Sequence, residues 1–79
     1  MENEIFEQVA AVIRKSVKQP RLEVTMETAS GDVKGWDSLH HMMIITEVEQ
    51  TFGIKFDFME ILEMKTVEDI CNGVINCLK

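Results

Sequence analysis

Apolar residues recur every three to four positions in three separate stretches of this chain, and nowhere do they alternate every two over more than a few residues. That contrast restricts the fold more than any other feature. Stripes of period 3.6 call for helices packed on one another, and without period-2 runs or an Asn-Gly or Asp-Gly hairpin there is little to build a sheet from. The first stripe is Ile5, Val9, Val12, Ile13 and Val17. The second is Ile45, Val48 and Phe52, flanked by His41 and Ile44. The third is Val67, Ile70, Cys71, Val74, Ile75 and Leu78.

The residues between the stripes agree with this reading. Glu2, Glu4 and Glu7 open the first stripe, and Arg14, Lys15 and Lys18 close it, as the helix dipole favours. Pro20 forbids much further helix, so the first helix is predicted over 3–18. Asp37 is an N-cap for a helix over 37–51 that Gly53 ends. Asp57 caps one or two turns over 57–63. Thr66-Val67-Glu68-Asp69 reads as a capping box with Asp where Glu is usual. The expected fold class is all-α, a small four-helix bundle of three main helices and one short one. Its 79 residues suit one domain, 1–79, with a small core. That core is expected to bury Val9, Ile13, Ile45, Val48, Phe52, Ile70, Val74 and Ile75. Residues 19–36 form a long first loop, of a length that is often functional or carries a short helical turn. Leu22, Val24, Met26 and Val33 are expected to pin it to the core.

The net charge of −6 argues against nucleic acid, which needs a basic stripe, and suits a partner with a basic face. No run is long and apolar enough to span a bilayer, and the acidic N-terminus lacks the basic region of a signal peptide, so the cytoplasm is the expected compartment. Cys71 and Cys77 would stand about 9 Å apart along a helix axis, too far to bridge. Both read as free thiols, Cys71 in the core, and no His or Cys cluster accompanies them to hold a metal.

The stretch Gly35-Trp36-Asp37-Ser38-Leu39-His40-His41 bears most on function. Ser38 and His41 are three apart and share a helical face. A serine hydrolase needs more: a base oriented by a third group, an oxyanion hole and a pocket. Asp37 cannot easily reach the far side of His41, and the G-x-S-x-G elbow is absent. On local sequence alone, Ser38 is a helix-start residue.

The wider pattern says more. Asp37-Ser38-Leu39 is followed fourteen residues after Ser38 by Phe52-Gly53-Ile54, and then by Thr66-Val67-Glu68-Asp69-Ile70. Together these elements resemble the acyl carrier protein family over nearly all of the chain. The resemblance implies a four-helix bundle of acyl-carrier type in which Ser38 is the attachment point of 4′-phosphopantetheine, moved there from coenzyme A by a phosphopantetheinyl transferase. The thiol of that arm would hold cargo as a thioester. By the same resemblance Asp37 helps the transferase place its metal ion, and Leu39 faces partners. Other enzymes supply the chemistry, so a carrier and not an enzyme is expected, as a monomer.

This chain departs from the fatty-acid carriers, which read Gly-Ala-Asp-Ser-Leu with acids soon after. Here Trp36 replaces the small residue, His40, His41, Met42 and Met43 follow Leu39, and the first acids are Glu47 and Glu49. The expected partner surface is therefore Trp36, Leu39, His40, Met42, Met43 and Glu47. It suits a dedicated acyl- or aminoacyl-loading enzyme and downstream transferases or synthases, as in stand-alone polysaccharide, nonribosomal peptide or polyketide pathways. The simpler readings are Trp36 packed on the core rim, one histidine exposed and one partly packed, and Glu47 and Glu49 as a solvated face. Two other functions remain open at this point: an unmodified helical interaction module, and a peptidyl or aminoacyl carrier of a nonribosomal pathway.

Overall fold

The computed structural model describes residues 2–79, with the Glu2 side chain outside the described residues. Four helices follow in order: α1 (Glu2–Ser16), α2 (Ser38–Phe52), α3 (Phe58–Glu63) and α4 (Val67–Leu78), with a 3-10 turn at Ser30–Asp32 in the long first loop. The all-α bundle expected from the apolar periods is present. α1 packs on both α2 and α4. Among the described residues the only extended pairing is an isolated antiparallel bridge between Ala29 and Thr66.

α1 stops at Ser16, two residues before the predicted end. Lys18 takes the left-handed conformation (φ 58°). Its N–H donates to the Lys15 carbonyl at 3.3 Å, and the Gln19 N–H reaches back to the Arg14 carbonyl at 2.9 Å. This is a Schellman ending with lysine where glycine is usual, which is why no sequence signal marked it. Lys18→Gly is expected to raise stability by up to about 1 kcal/mol, since the left-handed penalty of a Cβ exceeds the extra chain entropy of glycine. A urea midpoint moving upward checks it.

The core is the common face of α1, α2 and α4. Val9, Ile13, Ile44, Ile45, Val48, Val67, Ile70, Val74 and Cys71 are all but inaccessible to solvent. Two expected core residues are less buried than predicted. Phe52 and Ile75 pack on the core from its edge, because each lies in the last turn of its helix with few neighbours beyond. Ile44, read from sequence as a flank, is fully buried instead. The first loop is pinned as expected, with Val24 and Val33 buried and Leu22 and Met26 half-buried.

Backbone bonds also tie that loop to the start of α4: Ser30 N–H to the Lys65 carbonyl (3.0 Å), Val67 N–H to Thr28 (2.9 Å) and Glu68 N–H to Met26 (3.0 Å). They satisfy helix-start donors that would otherwise lack partners. Glu49 is not simply solvated, because its Oε2 accepts the Phe56 N–H at 2.8 Å and ties α2 to the link before α3.

Burial, with the nearby Glu68 charge, pushes the Cys71 thiol up to about 11, whereas Cys77 is exposed. A disulfide reagent at neutral pH is expected to titrate one thiol in the folded apo chain and a second only in denaturant. Two fast thiols before unfolding would contradict the packing of Cys71.

Candidate functional site

The first turn of α2 is built by Asp37. Its backbone is extended (φ −101°, ψ −171°) and its side chain accepts the His40 N–H, so it is the N-cap the sequence indicated. The same oxygen, Oδ1, lies 2.8 Å from both the backbone nitrogen and Nδ1 of His40. A carboxylate only accepts, so Nδ1 carries the proton. The His40 N–H, and after it the His40 ring, holds the Asp37 carboxyl below its ordinary 3.8.

Asp69 does comparable work in α4. Its Oδ2 accepts from Lys65 N–H (3.0 Å) and Thr66 N–H (3.2 Å), while Thr66 Oγ1 accepts from Asp69 N–H (3.1 Å), completing the predicted capping box. The Lys65 N–H is the main cause of its lowered carboxyl. A carboxylate lowered by folding stabilises fully above its unfolded value and loses that contribution as pH falls through its folded value. Stability from both caps is therefore expected to be whole above about pH 5 and to drain away below 3.8. Thermal midpoints across that range should fall less steeply in Asp69→Asn than in wild type.

Ser38 is the first residue of α2 and is exposed. Among the described residues its hydroxyl has no hydrogen-bond partner, and neither its N–H nor that of Leu39 meets a protein acceptor. A free hydroxyl thus stands beside two unpaired helix N–H groups and the positive end of a 15-residue helix, which suits a phosphodiester.

His41 is committed elsewhere. The Trp36 indole N–H donates to its Nδ1 at 3.2 Å, and its Nε2 lies 3.0 Å from the Ile61 carbonyl. An indole only donates and a carbonyl only accepts, so the imidazole is neutral with its proton on Nε2. With His40 on Asp37 and His41 spanning Trp36 and Ile61, neither histidine hydrogen-bonds the Ser38 hydroxyl, so among the described residues the Ser–His pair of a hydrolase is not formed.

The expected partner surface divides. Leu39, Met42 and Met43 are exposed around Ser38, and His40 is partly so. Trp36 has to be corrected: it is buried, only 5% exposed, and its ring stacks on His41 with centroids 6.0 Å apart. It supports the site from beneath and offers little surface to a partner. Glu47 turns toward α1, where its Oε2 lies 3.3 Å from Lys15 Nζ in a solvent-exposed pair of small energetic weight.

Residues the sequence reading passed over complete the site. Phe58, Met59 and Leu62 of α3 are exposed. Phe58 and Leu62 wall a groove of about 690 Å³ whose other side is Trp36, Ser38, His41 and Met42. A signal was available: a six-residue helix reading Phe-Met-Glu-Ile-Leu-Glu carries more large apolar residues than its one buried face, at Ile61, uses. Among the described residues no three His, Cys, Asp or Glu side chains gather to hold a metal. Among the described residues no helix is long and apolar enough to cross a membrane.

Comparison with known proteins agrees with this geometry. The family model described as the phosphopantetheine attachment site matches residues 7–74. An acyl carrier protein of Onion yellows phytoplasma is 32% identical over 66 residues, covering 84% of this chain and 87% of the relative. One from Thermotoga maritima is 33% identical over 71 residues, covering 90% and 88%. The solution structure of holo acyl carrier protein from Geobacter metallireducens superposes with a TM-score of 0.83 at 30% identity, covering 92% of this chain and 84% of that one. A family match over most of the chain, full-length relatives at this identity and a shared bundle lead to one conclusion: the chain belongs to the acyl carrier protein family, and its prosthetic group is covalently bound phosphopantetheine.

Proposed function

We propose that Ser38 is the residue that bears the 4′-phosphopantetheine, and that the chain acts as a monomeric, single-domain carrier in the cytoplasm and not as a catalyst. The observation that carries this reading is the exposed Ser38 hydroxyl in the first turn of a long helix, without a partner among the described residues, beside N–H groups at Ser38 and Leu39 that likewise have none there to compete with the phosphodiester. When attached, the arm supplies a thiol that holds acyl or aminoacyl cargo as a thioester. The chain's own residues present and orient that arm. Asp37 sets the helix start and offers a carboxylate to the transferase's metal ion. Leu39, Met42 and Met43 give partners an apolar contact surface beside it.

From Ser38 through Thr46 α2 carries no acid, so attraction to basic partner patches is weak there, and apolar contact decides affinity. This favours a dedicated loading enzyme over general fatty-acid service. The direct test is intact mass after incubation with coenzyme A and a phosphopantetheinyl transferase, followed by peptide mapping. Gain of one phosphopantetheine group on the peptide containing Ser38 supports the reading. No gain with transferases of several kinds would leave an unmodified interaction module. Met43→Glu is expected to slow the cognate loading enzyme by about 5- to 100-fold, as lost burial of one such side chain implies. Equal rates for the two proteins would remove the basis for an apolar docking surface.

A further inference from the structure

The groove beside Ser38 has a floor, and His41 closes it. Its ring bridges α2 to α3 through Nε2–H to the Ile61 carbonyl at 3.0 Å, and it is held from the other side by the Trp36 N–H at 3.2 Å. The Ile61 carbonyl also accepts the Met64 N–H at 3.2 Å, so both of its lone pairs are in use. Trp36, Ile61 and Met64 are each only 5–6% exposed, and Ile44 and Ile45, one turn beyond His41 on α2, are fully inaccessible. A chain passing between α2 and α3 would have to part His41 from Ile61. It would leave the His41 Nε2–H without its acceptor and the Ile61 carbonyl with one donor in place of two, in a half-buried place where unpaired polar groups are costly. Outside the floor the groove is open and apolar. Met42, Phe58 and Leu62 line it and are 36%, 62% and 52% exposed.

We propose that His41 is a latch across the cleft between α2 and α3, so that the group carried on the Ser38 arm rests in the outer groove against Met42, Phe58 and Leu62 and does not enter the core. Tethering at Ser38, itself part of the groove lining, keeps the cargo at high local concentration there. An open groove leaves most of a long alkyl chain in water, which the hydrophobic effect opposes. The carrier is therefore suited to short or polar acyl groups and poorly suited to long alkyl ones. This inference rests on the carrier reading above.

The test compares acetyl and octanoyl forms of the whole chain, made by a phosphopantetheinyl transferase that moves acyl-4′-phosphopantetheine from acyl-coenzyme A to the Ser38 hydroxyl with release of 3′,5′-adenosine bisphosphate, and confirmed by intact mass, using methyl-resolved NMR and thermal midpoints. In wild type, octanoyl is expected to shift the Met42 and Leu62 methyls while leaving those of Ile44 and Ile45 where acetyl leaves them, with equal midpoints for the two forms. In His41→Ala, octanoyl should shift Ile44 and Ile45 and raise the midpoint above that of the acetyl form. His41→Leu, which keeps volume without either ring nitrogen, separates the bonds from the bulk and serves if His41→Ala does not fold. Octanoyl shifts at Ile44 and Ile45 in wild type, or variants indistinguishable from wild type, would overturn the latch. A chain that takes up no acyl-phosphopantetheine mass would overturn the carrier reading and the latch with it. One that takes it up and admits octanoyl to the core would overturn the latch alone.

Discussion

Ser38→Ala is expected to abolish loading from coenzyme A completely while leaving the fold intact. The side chain removed is exposed and makes no hydrogen bond among the described residues. Alanine is at least as good a helix former at that position, and the cap of α2 belongs to Asp37, which remains. The thermal midpoint should therefore stay close to that of wild type. Intact mass after reaction with coenzyme A and a transferase is the measurement, and a phosphopantetheine gain in Ser38→Ala would move the site elsewhere. Asp37→Asn gives a graded companion. Asparagine still caps the helix, so the fold should hold with only the charge-dependent part of the Asp37 contribution lost, while loss of the carboxylate slows the transferase.

The second large effect is on stability. Ile13→Ala is expected to cost about 2–5 kcal/mol, the range for truncating a fully buried isoleucine. Ile13 has no exposed surface and sits on α1, the helix that packs on both α2 and α4, so the cavity would open where three helices meet. Small domains hold only about 5–15 kcal/mol in total, so the variant should be partly unfolded or strongly shifted in urea. An unchanged midpoint would reject the bundle packing. Phe52→Ala should cost less than the roughly 3–5 kcal/mol of a fully buried phenylalanine, because its ring packs at the edge of the core.

What was legible in the sequence was whatever repeats or punctuates locally. The three stripes gave the long helices, Asp37, Asp57 and Thr66 gave the three caps, and Gly53 gave the end of α2, where it sits at φ 67°. The Asp-Ser-Leu start, set against the spacing of the later elements, singled out Ser38. What stayed hidden depends on contacts between residues far apart in the chain. His41 meets the Ile61 carbonyl across 20 positions, and no period encodes which carbonyl an imidazole will find. Residues 28–30 pair with 65–67 by backbone alone, which leaves no trace in side-chain pattern. Trp36 was ambiguous because an indole fits a core rim and an interface equally well. Only the position of His41 decided it. The early end of α1 depends on a lysine in a conformation that usually selects glycine, so the composition pointed past it.

The place of Trp36 has a practical consequence. It is the chain's only tryptophan, and there is no tyrosine, so the protein's long-wavelength ultraviolet emission comes from one ring stacked on His41, two residues before Ser38. Nothing elsewhere in the chain dilutes that light. Rearrangement of the imidazole changes the surroundings of the single emitter, so any seating of an arm or docking of an enzyme that moves His41 is observable in real time on the unlabelled protein. In effect the chain carries its own optical gauge of the working end of the molecule.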